Sequence, residues 1–159
     1  MDSFTQIAEL ALALAGFAGV ASAFGGRERL YEPVERMRLV SLFTAAGIVL
    51  AASAFVDTMA SAGVSGELIF RSASALVFVA TAATLLPFNL RNGVQFVRDP
   101  SSSTTPWVLT LAIGNNAAVL ILVGGNAALE GVAWPLIGGL YLLLMYGLWM
   151  FTRILTLRN

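Results

Sequence analysis

Apolar residues in this chain come in runs longer than a soluble helix needs. Five stretches, 5–24, 37–61, 67–88, 107–127 and 131–154, carry at most two charged residues each. Each is long enough to cross a hydrocarbon core, which takes about 20 residues at about 1.5 Å apiece. The separators read as loops. GGRERLYEPVER (25–36) is charged and holds Pro33, and NLRNGVQFVRDPSSSTTP (89–106) has an Asn-Gly turn signal and a Ser/Thr run. Thr105 and Pro106 suit the cap and first turn of the fourth helix. Two short turns, around 63–66 and around Glu130, complete the pattern. It predicts an all-α fold, a single transmembrane domain over 1–159 built as a bundle of five helices.

The first stretch has one competing reading. Ala-Ser-Ala at 21–23 resembles a signal-peptide cleavage site, but MDSFTQIAE ahead of it has two acids and no base. A signal peptide begins with a positive region, so the segment is read as a retained span. Five spans place Arg27, Arg29, Arg36, Arg38, Arg91, Arg98, Arg153 and Arg158 on one side and only Arg71 on the other. The positive-inside rule then predicts an outside N-terminus and a cytoplasmic C-terminus. The Arg-rich, loop-poor character points to the cell membrane, read here as a bacterial inner membrane.

Composition sharpens the class. The chain is 58% hydrophobic and 11% charged, against about 25% charged for a soluble domain. Nine basic and nine acidic residues leave no net charge to recommend nucleic acid as a partner. Neither Cys nor His occurs. Disulfides, thiolate and imidazole metal sites, His-ligated haem, Cys nucleophiles and imidazole bases are therefore excluded. The serines and Asp57 lack a base or metal constellation. No cofactor, metal or enzymatic activity is expected.

Polar residues inside the spans are then the candidate chemistry, because a charge in hydrocarbon costs about 2.5 to 3.5 kcal/mol on insertion scales. Asp57 and Arg71 lie seven residues before and after Val64, the centre of the second turn. An antiparallel hairpin puts both about 10 Å below that turn, where they are expected to pair. Gln6, Glu9, Ser53, Ser61 and Asn126 fall in the same leaflet and predict a wet polar cluster. On the fourth helix Asn115 and Asn116 fall near the midplane. Asn115 and Asn126, eleven residues apart, lie within about 20° of each other on a 3.6-residue helix. They form one polar edge, either interhelical glue or the lining of a pathway, with Gly114, Gly124 and Gly125 allowing close approach. The fifth helix carries Trp134, Tyr146 and Trp149 at positions suited to the interfaces, Pro135 in its first turn, and a Leu-rich middle expected to face lipid.

The first helix separates its faces most clearly. Ala8, Ala11, Ala15, Gly19 and Ser22 form a small-residue face, and Leu10, Leu14 and Phe17 a bulky one. Asp2, Gln6, Glu9, Ala13, Gly16, Val20, Phe24 and Arg27 share about 80° of arc. This stripe either packs inside the bundle with Glu9 paired to Arg71, or lines a pore. In the pore, Glu9 forms a carboxylate ring and Val20 with Phe24 a constriction that gates by dewetting. The layout, an outer carboxylate and inner basic residues on a first helix, resembles that of oligomeric cation channels including the Orai family. The helix here would run the opposite way, and no residue role is carried over. The function expected from these features is a homo-oligomeric channel for ions or small polar solutes, embedded in the lipid bilayer with helix 1 along the pathway. The alternative is a non-catalytic scaffold or accessory subunit that binds another membrane protein.

Overall fold

The computed structural model describes residues 2–24, 33–98 and 106–156, and these are all helical apart from short turns. The elements are α1 (Asp2–Phe24), α2 (Pro33–Ser61), α3 (Gly66–Ala83), α4 (Leu85–Arg98), α5 (Pro106–Gly125), a π-helical turn (Asn126–Glu130) and α6 (Ala133–Thr156). Five segments are long and apolar enough to cross a membrane: Ser3–Ala21, Arg38–Ser61, Gly66–Arg91, Pro106–Glu130 and Ala133–Arg153. Helices long and apolar enough for the five expected spans are therefore present, within a few residues of the expected bounds. Arg27, Arg29 and Thr105 lie outside the described residues, as does Arg158.

The third span departs from expectation. It breaks at Thr84, and helix resumes through 89–98, which the sequence pattern assigned to a loop, so the Asn-Gly pair at 92–93 sits in helix. Pro87 supplies the reason. It has no amide hydrogen to donate to Ala83, and its ring would collide with that carbonyl in a continuous helix. In the first turn of a new helix the missing donor costs little. Thr84 bridges the break, its amide and hydroxyl both donating to Ala80 O, at 3.1 and 2.6 Å.

Packing makes α2 and α6 the centre of the bundle. They pack extensively on each other, α2 also on α1 and α3, and α6 also on α5, with α6 touching α1 and α3 more lightly. Leu136, Leu140 and Leu143 are fully buried, so the Leu-rich middle is core where a lipid-facing wall was expected. Without a hydrophobic drive between helices in lipid, close van der Waals fit holds such a bundle together. Small residues provide it. An added Cβ at Gly139 would come within 2.7 Å of Val123, one at Gly124 within 3.0 Å of the Phe78 ring, and one at Gly147 within 3.0 Å of Leu14. Gly114 and Gly125 border open space and play no such part. On α1 the buried stripe is Phe4, Ile7, Ala11 and Ala18, and Phe4 stacks on Phe70 of α3 at 6.1 Å.

Two glycines close the turns at one end. Gly63 (φ 75°) ends α2 with Val64 N donating to Met59 O and Gly63 N to Ala60 O, the paired pattern that a left-handed residue makes possible. Gly131 (φ 66°) ends the π-helical turn, its amide donating to Asn126 O at 2.9 Å. A Cβ there would also meet the side-chain stems of Arg71 and Glu67 at 2.8 Å. Gly131→Ala is expected to cost about 1 to 2 kcal/mol through left-handed backbone strain and overlap. Gly125→Ala, in open space, should be close to neutral. Unfolding of both variants in mixed detergent micelles checks the difference.

Candidate functional site

The polar residues expected to gather at the α2–α3 end are held apart. Arg71 Nη2 pairs with Glu67 Oε1 at 3.3 Å, one turn away on α3, and donates to Leu129 O at 3.2 Å across to the π-helical turn. Asp57 is exposed on α2 and is not the partner of Arg71 among the described residues. The reason is local. An i, i+4 carboxylate is already within reach on Arg71's own helix, and the turn offers a carbonyl to the same guanidinium. Exposed pairs of this kind contribute only about 0.3 to 0.5 kcal/mol. Asp57→Asn and Arg71→Gln should therefore be additive, with a coupling near zero in a double-mutant cycle. A coupling above about 1 kcal/mol would restore the pairing across the hairpin.

Asn126 is buried and fully engaged. Its Nδ2 donates to Ser74 Oγ (2.8 Å) and to Val132 O (2.9 Å), and its Oδ1 accepts from Val132 N (2.9 Å). It ties α3 to the start of α6 and closes the π-helical turn, a structural role. The shared edge expected for Asn115 and Asn126 is replaced by a buried stripe of Val108, Ala112, Asn116, Val119 and Val123, which Asn126 continues. Spacings of four and three keep that stripe on one side, so Asn116 joins it while Asn115 is turned partly outward.

Asn116 is a different kind of residue from Asn126. It is fully buried, and both Nδ2 and Oδ1 lack a hydrogen-bond partner; Asn115 Nδ2, Thr81 Oγ1 and Ser53 Oγ are also buried without one. The approach of α6 to α5 at Gly139 and Val123, and at Gly138 and Leu122, sets an antiparallel register that carries Asn116 to the level of Tyr146. Unpaired polar atoms at mid-span mark either a hydration path or a retained cost.

The stripe on α1 turns away from the bundle. Gln6, Glu9, Ala13 and Gly16 are exposed, and Val20 is 56% exposed. The reading in which this stripe packs inside with Glu9 on Arg71 is corrected: Glu9 lies five residues beyond Phe4, which is level with Phe70, and Arg71 is bound to Glu67. The backbone of Phe24 belongs to α1; its side chain, like that of Asp2, lies outside the described residues. Gln6 and Glu9 are thus not gathered with Ser53 and Asn126, which are buried. A cleft of about 260 Å³ between α1, α2 and α3, lined by Phe4, Val56, Ala60, Val64, Gly66, Ile69 and Phe70, is apolar and offers no chemistry of its own. Among the described residues no three His, Cys, Asp or Glu side chains converge as metal ligands do.

Comparison of the chain with protein-family models, with curated proteins and with solved structures finds no match. The geometry alone carries the functional reading.

One cluster escaped the sequence pattern. Tyr146, expected at an interface, is 2% exposed, and its hydroxyl donates to Asn89 Oδ1 at 3.3 Å. Asn89 belonged to a stretch read as loop, so its place inside the bundle depends on the continuation of α4. Ser41 lies beside the same tyrosine, and its Oγ makes no hydrogen bond of good geometry.

Proposed function

We propose that the protein is a multi-pass channel for ions or small polar solutes, formed by several copies of this chain, with α1 lining the pathway. The observation that carries this reading is the outward stripe of Gln6, Glu9, Ala13, Gly16 and Val20. In a lone bundle Glu9 would face hydrocarbon about 9 Å from the start of a span beginning at Ser3, an expensive place for a carboxylate. Around the axis of a ring the same face meets water. Glu9 then forms a cation-attracting collar, and Val20 with Phe24 narrows the far half of the pathway. The N-terminus lies outside and the C-terminus in the cytoplasm of a bacterial inner membrane, as the arginine distribution favours.

A second reading, a scaffold or accessory subunit for another membrane protein, is favoured by a specific face of α2. Gly47, Ala51 and Ala54 are exposed along it, a small-residue surface against which a foreign helix could pack closely. The mass of the purified particle separates the two. A closed ring of identical chains supports the channel, and a single copy that co-purifies with a larger membrane protein supports the scaffold.

A further inference from the structure

The outward face of α2 holds a carboxylate without a partner among the described residues. Gly47, Ala51, Ala54 and Thr58 are exposed, and spacings of four, three and four keep them on one side of the helix. A Cβ added at Gly47 would meet no atom within 4 Å, so the seam they form is open. Asp57 is exposed at its rim. The neighbouring hydroxyls are spent on their own helix: Thr58 Oγ1 donates to Ala54 O and Ser61 Oγ to Thr58 O, both at 2.7 Å. The Asp57 carboxylate has neither ion pair nor hydrogen bond among the described residues. It lies about 6 Å inside the end of the candidate span Arg38–Ser61. A charge at such a depth calls for a partner of opposite sign.

A second copy of this chain does not supply that partner. Two α2 faces packed on each other bring Asp57 towards Asp57, and like charges repel where the dielectric is low. Arg71 is the one basic residue between 39 and 90, and its guanidinium is already held by Glu67 and by Leu129 O. The complement therefore comes from outside the chain. It is a helix whose backbone approaches closely along the small-residue seam and whose Lys or Arg, a turn inside its own span, reaches the rim on a long flexible stem. We propose that this face of α2 docks a single membrane-spanning helix of another protein, through a charge pair between Asp57 and a basic side chain of that helix. This docking rests on the scaffold reading and gives the partner its chemistry; it uses no part of the α1 stripe.

The test pairs the full chain in detergent micelles with a synthetic single-span helix of leucine and alanine that carries one lysine a turn inside its span, and with the same helix carrying leucine there. Energy transfer between labelled partners reads the affinity. The lysine helix is expected to bind about tenfold more tightly than the leucine helix, the effect of one charge-assisted hydrogen bond. Asp57→Asn should erase that preference, and Ala51→Leu, which fills the seam, should weaken the binding of both helices. Both substitutions lie on the outward face, so thermal unfolding should be nearly unchanged. Equal binding of the two helices, a preference that survives Asp57→Asn, or binding untouched by Ala51→Leu overturns the docking. So does self-association of the chain that Ala51→Leu abolishes, which gives the face to a second copy. The scaffold reading is tested apart from this: a single copy that co-purifies with a larger membrane protein keeps that reading even where the lysine helix fails.

Discussion

Asn126→Ala is expected to destabilise the bundle by about 2 to 4 kcal/mol, the largest loss of any single polar substitution here. The side chain satisfies three groups at once: Ser74 Oγ, Val132 O and Val132 N. Truncation leaves the buried Ser74 hydroxyl and the two partly buried backbone groups of Val132 unpaired, and a fully buried group of this kind costs about 1 to 3 kcal/mol. Interhelical hydrogen bonds in membranes average only about 0.6 kcal/mol because separated helices find other partners. Asn126 exceeds that average because two of its bonds define the backbone path into α6 rather than bridging two finished helices. Unfolding in mixed detergent micelles should show a loss several times that of Asn115→Ala. Equal losses would mean that the turn does not need its asparagine.

Asn116→Leu is expected to act in the opposite direction, raising stability by about 1 to 2 kcal/mol. Both amide atoms of Asn116 are buried and unpaired, so the folded bundle gains nothing from them, and leucine has the same branched heavy-atom skeleton without a polar group to satisfy. The gain is limited because the separated α5 helix also carries the amide into lipid. A destabilised variant would show instead that Asn116 is bound in the folded protein by water or a neighbour.

The five long helices were legible because about 20 residues in a row with at most two charges make a segment long and apolar enough to cross a bilayer. Their partners were less so. The pairing of Asp57 with Arg71 followed from equal distance to the turn, but Glu67, a turn from Arg71 on the same helix, needed no such register. Asn126 was visible as a polar residue at a helix end, whereas its role depends on the π-helical turn, which brings the backbone of Val132 back to its side chain. The cluster around Tyr146 was hidden by a second misreading. Asn89 followed Pro87 and preceded an Asn-Gly pair, both loop signals, and only the renewed helix after the break brings it to Tyr146. Pro87 was a marker of a helix start as much as of an end. The orientation of the α1 stripe could not be read from its own sequence at all, since an amphipathic helix does not say which of its faces meets its neighbours.

The channel reading is tested most directly by the relative permeation of cations and anions through the purified protein in liposomes, wild type against Glu9→Gln. The expected result is a cation-selective flux whose selectivity falls when the Glu9 charge is removed, with the fold and particle size unchanged. Absence of conduction, or a Glu9→Gln variant that keeps its selectivity and differs only in stability, would contradict it.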